Sequence, residues 1–515
     1  MDERVAAAWR VLPTYLSEHV LLSASALALG LIVSVPLAIV AIRSVRLRWP
    51  VLSVVGLVQT IPGLALLALF YPLLLALASL AEQLFGRGFS ALGFLPSLLA
   101  LALYSMLPVI RNTVTGVLNL DPAIIEAARG VGMTDRQRLL RIELPLAAPM
   151  LMAGVRTATV WVIGAATLST PVGQTSLGNY IFSGLQTENW VAVLFGCVAA
   201  AALALITDQL LALIESGVAR RRRWRIGAGC ALLAAGVFAA AFSGNRNEAS
   251  AYVIGAKSFS EQYILSALIA QRLEKQGASV TRRVGLGSAI AFRALVNDDI
   301  DAYVDYSGTV WTNYARRSDT PSREVLLEEL RKWLREEHGA LLLGTLGFEN
   351  AYAMAMRRER AEELGISSIA DLAVHAASLS IGGDFEFFAR PEWRALRDRY
   401  GLHFAANRQY QSTFMYKAVA SGEVDVISAF SSDGRIAAED LVVLTDPLQV
   451  IPPYDAIVLI APGRVADAQL RRALEPLLGA IPVELMREAN LMVDRDEAKL
   501  TPPQAARLLA AQAEL

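Results

Sequence analysis

Residues 126–145 read EAARGVGMTDRQRLLRIELP, and this stretch decides the fold of the first half of the chain. Its first part is rich in alanine and predicts a helix, which Gly132 is expected to end. A second helix should follow that carries Arg136, Arg138 and Arg141. So short a helix pair cannot bury a core of its own. We therefore expect it to dock on a partner, with a charged surface hairpin between two membrane spans as the alternative.

The apolar residues around this stretch are too concentrated for a soluble enzyme. The chain has 515 residues, of which 54% are hydrophobic, and its long apolar runs are confined to the first half. Because a helix needs about 20 apolar residues to cross the hydrocarbon core, the pattern predicts about six spans. They are expected near Val20–Ile42, Val51–Leu80, Leu92–Ile110, Met150–Pro171, Val191–Ile214 and Ile226–Phe242. The second of them is long enough to be tilted, or broken at Pro62-Gly63.

Basic residues set the expected orientation, since cytoplasmic loops carry an excess of lysine and arginine. They follow the first, third and fifth spans, as Arg43–Arg48, the arginines of residues 126–145 and the cluster Arg220–Arg225. The sequence therefore predicts a multi-pass protein of the inner cell membrane, with everything after Phe242 outside the cytoplasm. A basic cluster between apolar spans gives no reason to expect a nucleic-acid partner.

The second half reads as a soluble α/β domain. Residues 1–242 are expected to form the membrane domain, 243–250 a polar tether and 251–515 the soluble domain. Strands are predicted near Tyr252–Ile254, Ser279–Val284 and Ile300–Val304, alternating with helices, which is typical of parallel sheets. Ser258 and Glu261 fit a capping box for the first helix. Two lobes are expected, with the chain crossing between them near Leu343–Phe348 and Thr445–Pro453.

The stretch at 126–145 also fits a known pattern: E-A-A, three residues, G, nine residues, I-x-L-P. It resembles the cytoplasmic coupling loop of permease subunits of ABC importers. The resemblance implies that this loop docks on a dimeric, cytoplasmic ABC ATPase and that two copies of the permease pair. The positions that carry the pattern, and that the resemblance assigns to coupling, are Glu126, Ala127, Ala128, Gly132, Ile142, Leu144 and Pro145.

Three motifs of the second half resemble the substrate-binding proteins of importers for glycine betaine, choline, carnitine and related osmoprotectants. They are GAKSFSEQYIL, DIDAYVDYSGT, and SSDGRI at Ser431–Ile436. The whole chain is similar to a fused permease and binding protein. The implied fold is an all-α transmembrane domain of about six helices, followed by a two-lobed α/β clamshell of the periplasmic-binding-protein type.

The resemblance also implies a ligand site. A quaternary ammonium has no hydrogen to donate, so aromatic faces and carboxylates must hold it. The ring positions that match the family's aromatic box are Tyr306, Tyr352 and Tyr454, with Thr309 beside the first. Phe430 stands where many relatives have a tyrosine, so the face is kept and a hydroxyl is lost.

Two cations match positions where the family binds a ligand carboxylate, and they are Lys257 and Arg390. Asp305 is expected to orient the box or to supply negative charge. Plainer interpretations exist for each position, since Arg390 could pair with Glu386 or Glu392 and tyrosines at strand ends commonly pack half-buried.

The sequence lacks the motifs of several other classes. No G-x-x-x-x-G-K-[ST] loop occurs, so ATP hydrolysis is assigned to a separate subunit and the chain is not expected to be an enzyme. The four histidines lack metal-ligand spacing, and neither a metal nor a cofactor is expected. Two alternatives stay open, namely a betaine that is not an osmolyte, such as ergothioneine, and a ligand-gated channel or sensor.

Overall fold

The computed structural model describes residues 3–85, 89, 91–187, 189–244, 252–317, 319–495 and 498–515. The chain divides into two compact units, residues 1–182 with 191–248 and residues 183–190 with 249–515. The helices of the first half are α1 (Glu3–Arg43), α2 (Val45–Thr60), α3 (Gly63–Phe85), α4 (Phe94–Leu118), α5 (Pro122–Gly130), α6 (Asp135–Arg138), α7 (Leu144–Ala166), α8 (Gly178–Gln186), α9 (Trp190–Ala219) and α10 (Arg223–Gly244).

In the part of the chain that the structure describes, six stretches of helix are long and apolar enough to cross a membrane, as predicted. They are Ala8–Arg43, Gly63–Phe85, Phe94–Leu118, Asp135–Val172, Trp190–Ala219 and Arg223–Phe242. The long second run does break at Pro62, so that α2 ends at Thr60 and α3 begins at Gly63. Proline disfavours helical backbone at the residue before it, which accounts for the break at this point.

Residues 126–145 contain the end of one free-standing helix, α5, rather than two separate helices. The Asp121 side chain caps the start of α5, and Gly132 follows that helix with a φ of +79°, as the sequence predicts for a helix break. The arginine-bearing second helix is not separate, because α6 continues through a π-helical turn, Leu139–Glu143, into α7. The predicted fourth span therefore begins well before Met150.

Small residues allow the spans to pack closely. A β-carbon at Gly154 of α7 would lie 2.7 Å from the Pro108 carbonyl oxygen of α4, and one at Gly30 of α1 would lie 3.1 Å from the Ala102 carbonyl oxygen. Close backbone approach of this kind is how helices associate in lipid, where burial of apolar surface gives no preference for protein over acyl chains.

We expect Gly154→Val to lower the thermal unfolding midpoint of the detergent-purified chain. The added side chain has no room against α4, and overpacking of this type costs about 1–3 kcal/mol. Gly164→Val is the matched control, since it makes the same change in the same helix where a β-carbon meets nothing within 4 Å. Equal midpoints for the two variants would contradict the α4–α7 contact.

The second half contains two five-stranded sheets, in the strand orders β2-β1-β3-β10-β4 and β7-β6-β8-β5-β9. The strands are β1 (Tyr252–Lys257), β2 (Val280–Leu286), β3 (Ala302–Tyr306), β4 (Leu341–Glu349), β5 (Tyr352–Arg357), β6 (Ser380–Asp384), β7 (Ala406–Tyr410), β8 (Val426–Phe430), β9 (Leu441–Val443) and β10 (Asp455–Ile460). The helices are α11 (Ser260–Lys275), α12 (Ser288–Val296), α13 (Ser307–Thr309), α14 (Arg323–His338), α15 (Arg358–Leu364), α16 (Ile369–His375), α17 (Pro391–Tyr400), α18 (Ser412–Ala420), α19 (Arg435–Ala438), α20 (Ala468–Leu474), α21 (Val483–Asp494) and α22 (Pro502–Gln512).

The sheets are mixed rather than purely parallel. Strand β1 runs parallel to β2 and β3, and β6 runs parallel to β7 and β8. Strands β10 and β5, which follow the two crossings between the sheets, are each antiparallel to their neighbours. A chain that enters a sheet from the other lobe arrives at the edge where the parallel strands end, so it must run in the opposite direction.

One predicted crossing is wrong by several residues and the other is correct. Residues Leu343–Phe348 lie inside β4, and the first crossing is at Asn350 and Ala351. The second lies between β9 and β10 and contains the predicted stretch Thr445–Pro453. Of the predicted tether, Ser243 and Gly244 belong to α10, and residues 245–250 lie outside the described residues. The domain boundaries at 242 and 251 stay predictions.

Candidate functional site

The ends of the strands place polar and aromatic side chains around one cavity of about 180 Å³ in the second half of the chain. Four parallel strands each end in a residue that lines it, namely Lys257, Tyr306, Asp384 and Phe430. The antiparallel strand β5 begins there with Tyr352. The crevice beyond the carboxyl ends of parallel strands is where open α/β sheets bind ligands.

All seven side chains predicted to bind ligand line this cavity, and they are Lys257, Tyr306, Thr309, Tyr352, Arg390, Phe430 and Tyr454. Asp305 does not line it. Its carboxylate lies behind the cavity wall, where it pairs with the Lys257 ammonium and accepts hydrogen bonds from the Tyr303 hydroxyl at 2.5 Å and the Tyr306 N–H at 2.7 Å. The sequence therefore predicts the composition of the wall, and the ligand-binding role of each residue stays a prediction.

The rings around the cavity form a continuous series, and one of its members was missed by the sequence analysis. Phe259 lies 6.1 Å from Tyr306 and 6.4 Å from Phe430, measured between ring centroids. Phe430 lies 5.1 Å from Tyr352, which lies 6.1 Å from Tyr454. Phe259 thus joins the predicted rings of the two lobes. It belongs to the quoted motif GAKSFSEQ, where its position just before a helix was the available signal.

Arg390 is buried and engages several partners at once. Its Nη2 donates to Glu392 Oε1 at 3.3 Å, to the Tyr454 hydroxyl at 3.3 Å and to Thr309 Oγ1 at 3.4 Å. Its guanidinium carbon lies 5.0 Å from the Tyr352 ring centroid. The plainer interpretation, a structural pair with Glu392, is therefore present in the structure together with a place on the cavity wall.

Glu392 keeps its charge in this buried position. Burial alone would raise the pKa of Glu392, but the charge of Arg390 and the hydrogen bond from the Tyr454 hydroxyl outweigh it, so the pKa lies below its usual value. Thr312 donates a further hydrogen bond to Oε1 at 3.0 Å. The Arg390 side of the wall is therefore held by a fixed ion pair.

Glu261 has a different role in the structure from the helix cap that the sequence predicts. It does not form a capping box with Ser258, because α11 begins at Ser260 without a side-chain cap. The Glu261 carboxylate is instead buried and accepts four hydrogen bonds. Their donors are the Tyr306 hydroxyl at 2.5 Å, Ser432 Oγ at 2.6 Å, Asn490 Nδ2 at 3.0 Å and Asn350 Nδ2 at 3.1 Å.

Burial raises the pKa of Glu261, and the hydrogen bonds from Ser432, Tyr306 and the two asparagines partly offset that rise. The donors come from both lobes, since Tyr306 ends β3 of the first sheet and Ser432 follows β8 of the second. Glu261 therefore fixes one wall ring and joins the two lobes. Its donors lie far apart in sequence, so only the folded chain reveals them.

Comparison with known proteins identifies the family. Residues 250–509, half of the chain, match the family described as the substrate-binding domain of ABC-type glycine betaine transport systems. Residues 27–220 match the binding-protein-dependent transport system inner membrane component. The chain belongs to the glycine betaine ABC transporter family. It is a permease fused to a substrate-binding domain, which favours an importer subunit over a ligand-gated channel or sensor.

Two relatives illustrate the similarity. The chain is 28% identical over 483 residues to the ergothioneine transport permease/ergothioneine binding protein of Helicobacter pylori (strain G27), with 90% of this chain and 84% of the relative covered. It is 38% identical over 198 residues to the choline transport system permease protein of Bacillus subtilis (strain 168), with 38% of this chain and 84% of the relative covered. These relatives are transport proteins and not enzymes.

Among solved structures, a glycine betaine/carnitine/choline ABC transporter is 27% identical. It covers 51% of this chain and 98% of its own, with a TM-score of 0.46.

We expect Glu261→Gln to destabilise the binding domain. An amide offers one acceptor oxygen where the carboxylate offers two, so its NH₂ would face either the Asn350 donor at the Oε1 position or the Asn490 donor at the Oε2 position. Each buried donor left unsatisfied costs about 1–3 kcal/mol. Calorimetric unfolding of the purified full chain measures the effect, with Glu274→Gln on the exposed face of the same helix as the control. If both variants unfold at the same temperature as the wild type, the four hydrogen bonds do not contribute measurably to the stability of the binding domain.

Proposed function

We propose that the cavity binds a quaternary-ammonium or betaine-type ligand, in which the ammonium is methylated, and that the chain imports it. The observation that carries this proposal is the series of five rings, Tyr306, Phe259, Phe430, Tyr352 and Tyr454, along one cavity wall. Ring faces attract a cation and require no hydrogen from it. The class includes glycine betaine, choline, carnitine and proline betaine.

The charges around the cavity support a cationic ligand. Two basic side chains line it, Lys257 and Arg390, and each is paired with a buried carboxylate. The Lys257 ammonium lies 5.3 Å from the Tyr306 ring centroid, and the Arg390 guanidinium lies 5.0 Å from that of Tyr352. Among the described residues, no protein cation lies over Phe259, Phe430 or Tyr454. These three rings are the ones a ligand ammonium would use first.

Ergothioneine is a second candidate within the same class. The relative from Helicobacter pylori that matches 90% of this chain has the same fused arrangement and is named for ergothioneine transport. Ergothioneine is a trimethylated betaine and presents the same cation to the rings. It differs from the osmolytes in carrying a ring with N–H groups.

The remaining parts of the proposal concern assembly and orientation. A separate ABC ATPase would supply ATP hydrolysis and dock on residues 126–145, where Glu126, Ala127, Gly132 and Pro145 are exposed. Two copies of the chain would pair over a dimeric ATPase. The basic loops would face the cytoplasm and the binding domain would lie outside it.

We expect Phe430→Leu to weaken binding of the trimethylated ligand by roughly tenfold, because it removes one ring face worth about 1–2 kcal/mol and keeps an apolar side chain. Phe430→Tyr should keep the affinity, since the face persists. Titration calorimetry of the purified chain with glycine betaine, choline, carnitine and ergothioneine measures both. Phe404→Leu is the control, because Phe404 contacts Trp393 and does not line the cavity. Glycine that competes as well as glycine betaine would contradict the cage of rings.

We expect Gly132→Asp to abolish uptake and to leave ligand binding intact. Gly132 is exposed at a positive φ in the coupling loop, so a charged side chain there would meet the partner and also strain the turn. Gly365→Asp is the matched control, since Gly365 has a φ of +64° and a β-carbon there meets nothing within 4 Å. Uptake of the labelled ligand in cells and calorimetry on purified protein separate the two functions. Loss of ligand binding together with uptake in Gly132→Asp would contradict the proposal that residues 126–145 couple the permease to an ATPase.

A further inference from the structure

Within the described part of the chain, Asp384 differs from the other buried carboxylates near the cavity, Asp305, Glu261 and Glu392, in having a buried oxygen with no hydrogen-bond partner. It is the last residue of β6 and lines the cavity with little exposure. Its Oδ1 accepts hydrogen bonds from the N–H groups of Glu386 at 2.7 Å and Phe387 at 3.0 Å. Its Oδ2 is buried and has no hydrogen-bond partner among the residues that the structure describes.

The neighbouring buried carboxylates are satisfied. Asp305 pairs with Lys257, Glu392 pairs with Arg390, and Glu261 accepts four hydrogen bonds. Burial raises the pKa of Asp384, and the hydrogen bonds from the N–H groups of Glu386 and Phe387 only partly offset that rise. The Tyr352 hydroxyl acts on this carboxyl and lowers its pKa slightly, yet Oδ2 has no hydrogen-bond partner among the described residues.

An unsatisfied buried carboxylate oxygen is costly, and the cost is removed when a donor arrives. The two backbone N–H groups fix the carboxylate through Oδ1, so Oδ2 cannot turn away to find a partner elsewhere. A methylated ammonium cannot supply that donor, because all its hydrogens are on carbon. Glycine betaine has no N–H or O–H group at all near neutral pH, so it would leave Oδ2 as it is.

We propose that the transported betaine carries an N–H or O–H group in addition to its methylated ammonium, and that Asp384 Oδ2 accepts the hydrogen bond from it. This inference rests on the proposed function and narrows its ligand class. Asp384 is then a specificity-determining residue, because an unmatched acceptor in a closed site discriminates strongly between ligands with and without the donor. Charge on the acceptor makes the bond about twice as strong as a neutral one.

The test compares pairs of probes that differ only in the donor. One pair is choline and its O-methyl ether, and the other is ergothioneine and the derivative methylated on both ring nitrogens. Calorimetry of the purified full chain gives the affinity ratio within each pair. In the wild type at least one donor-bearing probe should bind about tenfold or more tightly than its methylated partner.

Asp384→Asn should bring that ratio close to one. The amide oxygen can keep the two backbone hydrogen bonds, and its NH₂ then faces the cavity as a donor. Because the same two probes are compared in both proteins, the added bulk of the methyl group cancels from the comparison. Asp384→Ser is a second variant that keeps an oxygen for the turn and withdraws the acceptor from the cavity.

Asp425→Asn is the matched control. Asp425 accepts hydrogen bonds from the N–H and the hydroxyl of Ser380 at the opposite end of β6, and it does not line the cavity. It should leave the affinity ratio unchanged. A ratio near one in the wild type, or a ratio that both Asp384 variants preserve, overturns the role of Asp384. Failure of every trimethylated probe to bind would instead contradict the proposed function itself.

Discussion

The binding domain is built around a carboxylate that water does not reach. Removing the Glu261 charge from solvent is expensive, and the structure tolerates it because two lone-pair regions on each oxygen meet donors from Tyr306, Ser432, Asn350 and Asn490. Asn490 also donates to the Ser432 carbonyl oxygen at 3.0 Å, which joins α21 to the second lobe. Asn350 is itself at the first crossing between the sheets. The Glu261 carboxylate therefore links the two lobes, the first crossing at Asn350 and the ring of Tyr306.

Hydrogen bonds to buried carboxylates also fix the rings of the cavity wall. Strands β1, β3, β6 and β8 bring their final residues to the cavity, and Tyr352 at the start of β5 and Tyr454 just before β10 reach it from the other direction. A strand end fixes a Cα position but leaves a side chain its rotamers. The Tyr306 ring is fixed by its hydrogen bond to Glu261, and Tyr454 is fixed by Glu392 and Arg390. Rings that are held before the ligand arrives lose less entropy when it binds.

Much of the fold could be predicted from local sequence patterns. The residues of the cavity wall could be predicted from the family resemblance. Spans follow from apolar length, and the break at Pro62 follows from proline geometry. The predicted bounds of three strands of the first sheet agree with the structure to within three residues, because an apolar run and a following helix signal mark each of them. The resemblance supplied the seven wall residues, since it carries spatial information that periodicity lacks.

The predictions that the structure contradicts have a common physical cause. In each case the residue that determines the local structure lies far away in the sequence. Glu261 has the spacing of a capping box with Ser258, and only contact with Ser432 and Asn490 directs its carboxylate elsewhere. The first crossing was placed inside β4 because nothing local shows that this strand continues to Glu349, where β10 pairs with it. Phe259 was not recognised as a ring of the wall because its neighbours, Tyr306 and Phe430, belong to different sheets.

In the first half of the chain, the segment that precedes α7 is joined to it without a break in the helix. Because α6 continues through a π-helical turn into α7, the arginine-bearing part of residues 126–145 is continuous with a helix long and apolar enough to cross a membrane. The turn is held by the buried pair of Arg138 and Glu143, with 2.7 Å between Nε and Oε1. Arg43 at the end of α1 approaches Glu143 at 3.4 Å and donates to the Asp135 carbonyl oxygen at 2.8 Å. Breaking a buried pair leaves an uncompensated charge, so the Arg138–Glu143 pair stabilises the junction of α6 with the π-helical turn, and Arg43 adds a contact from α1.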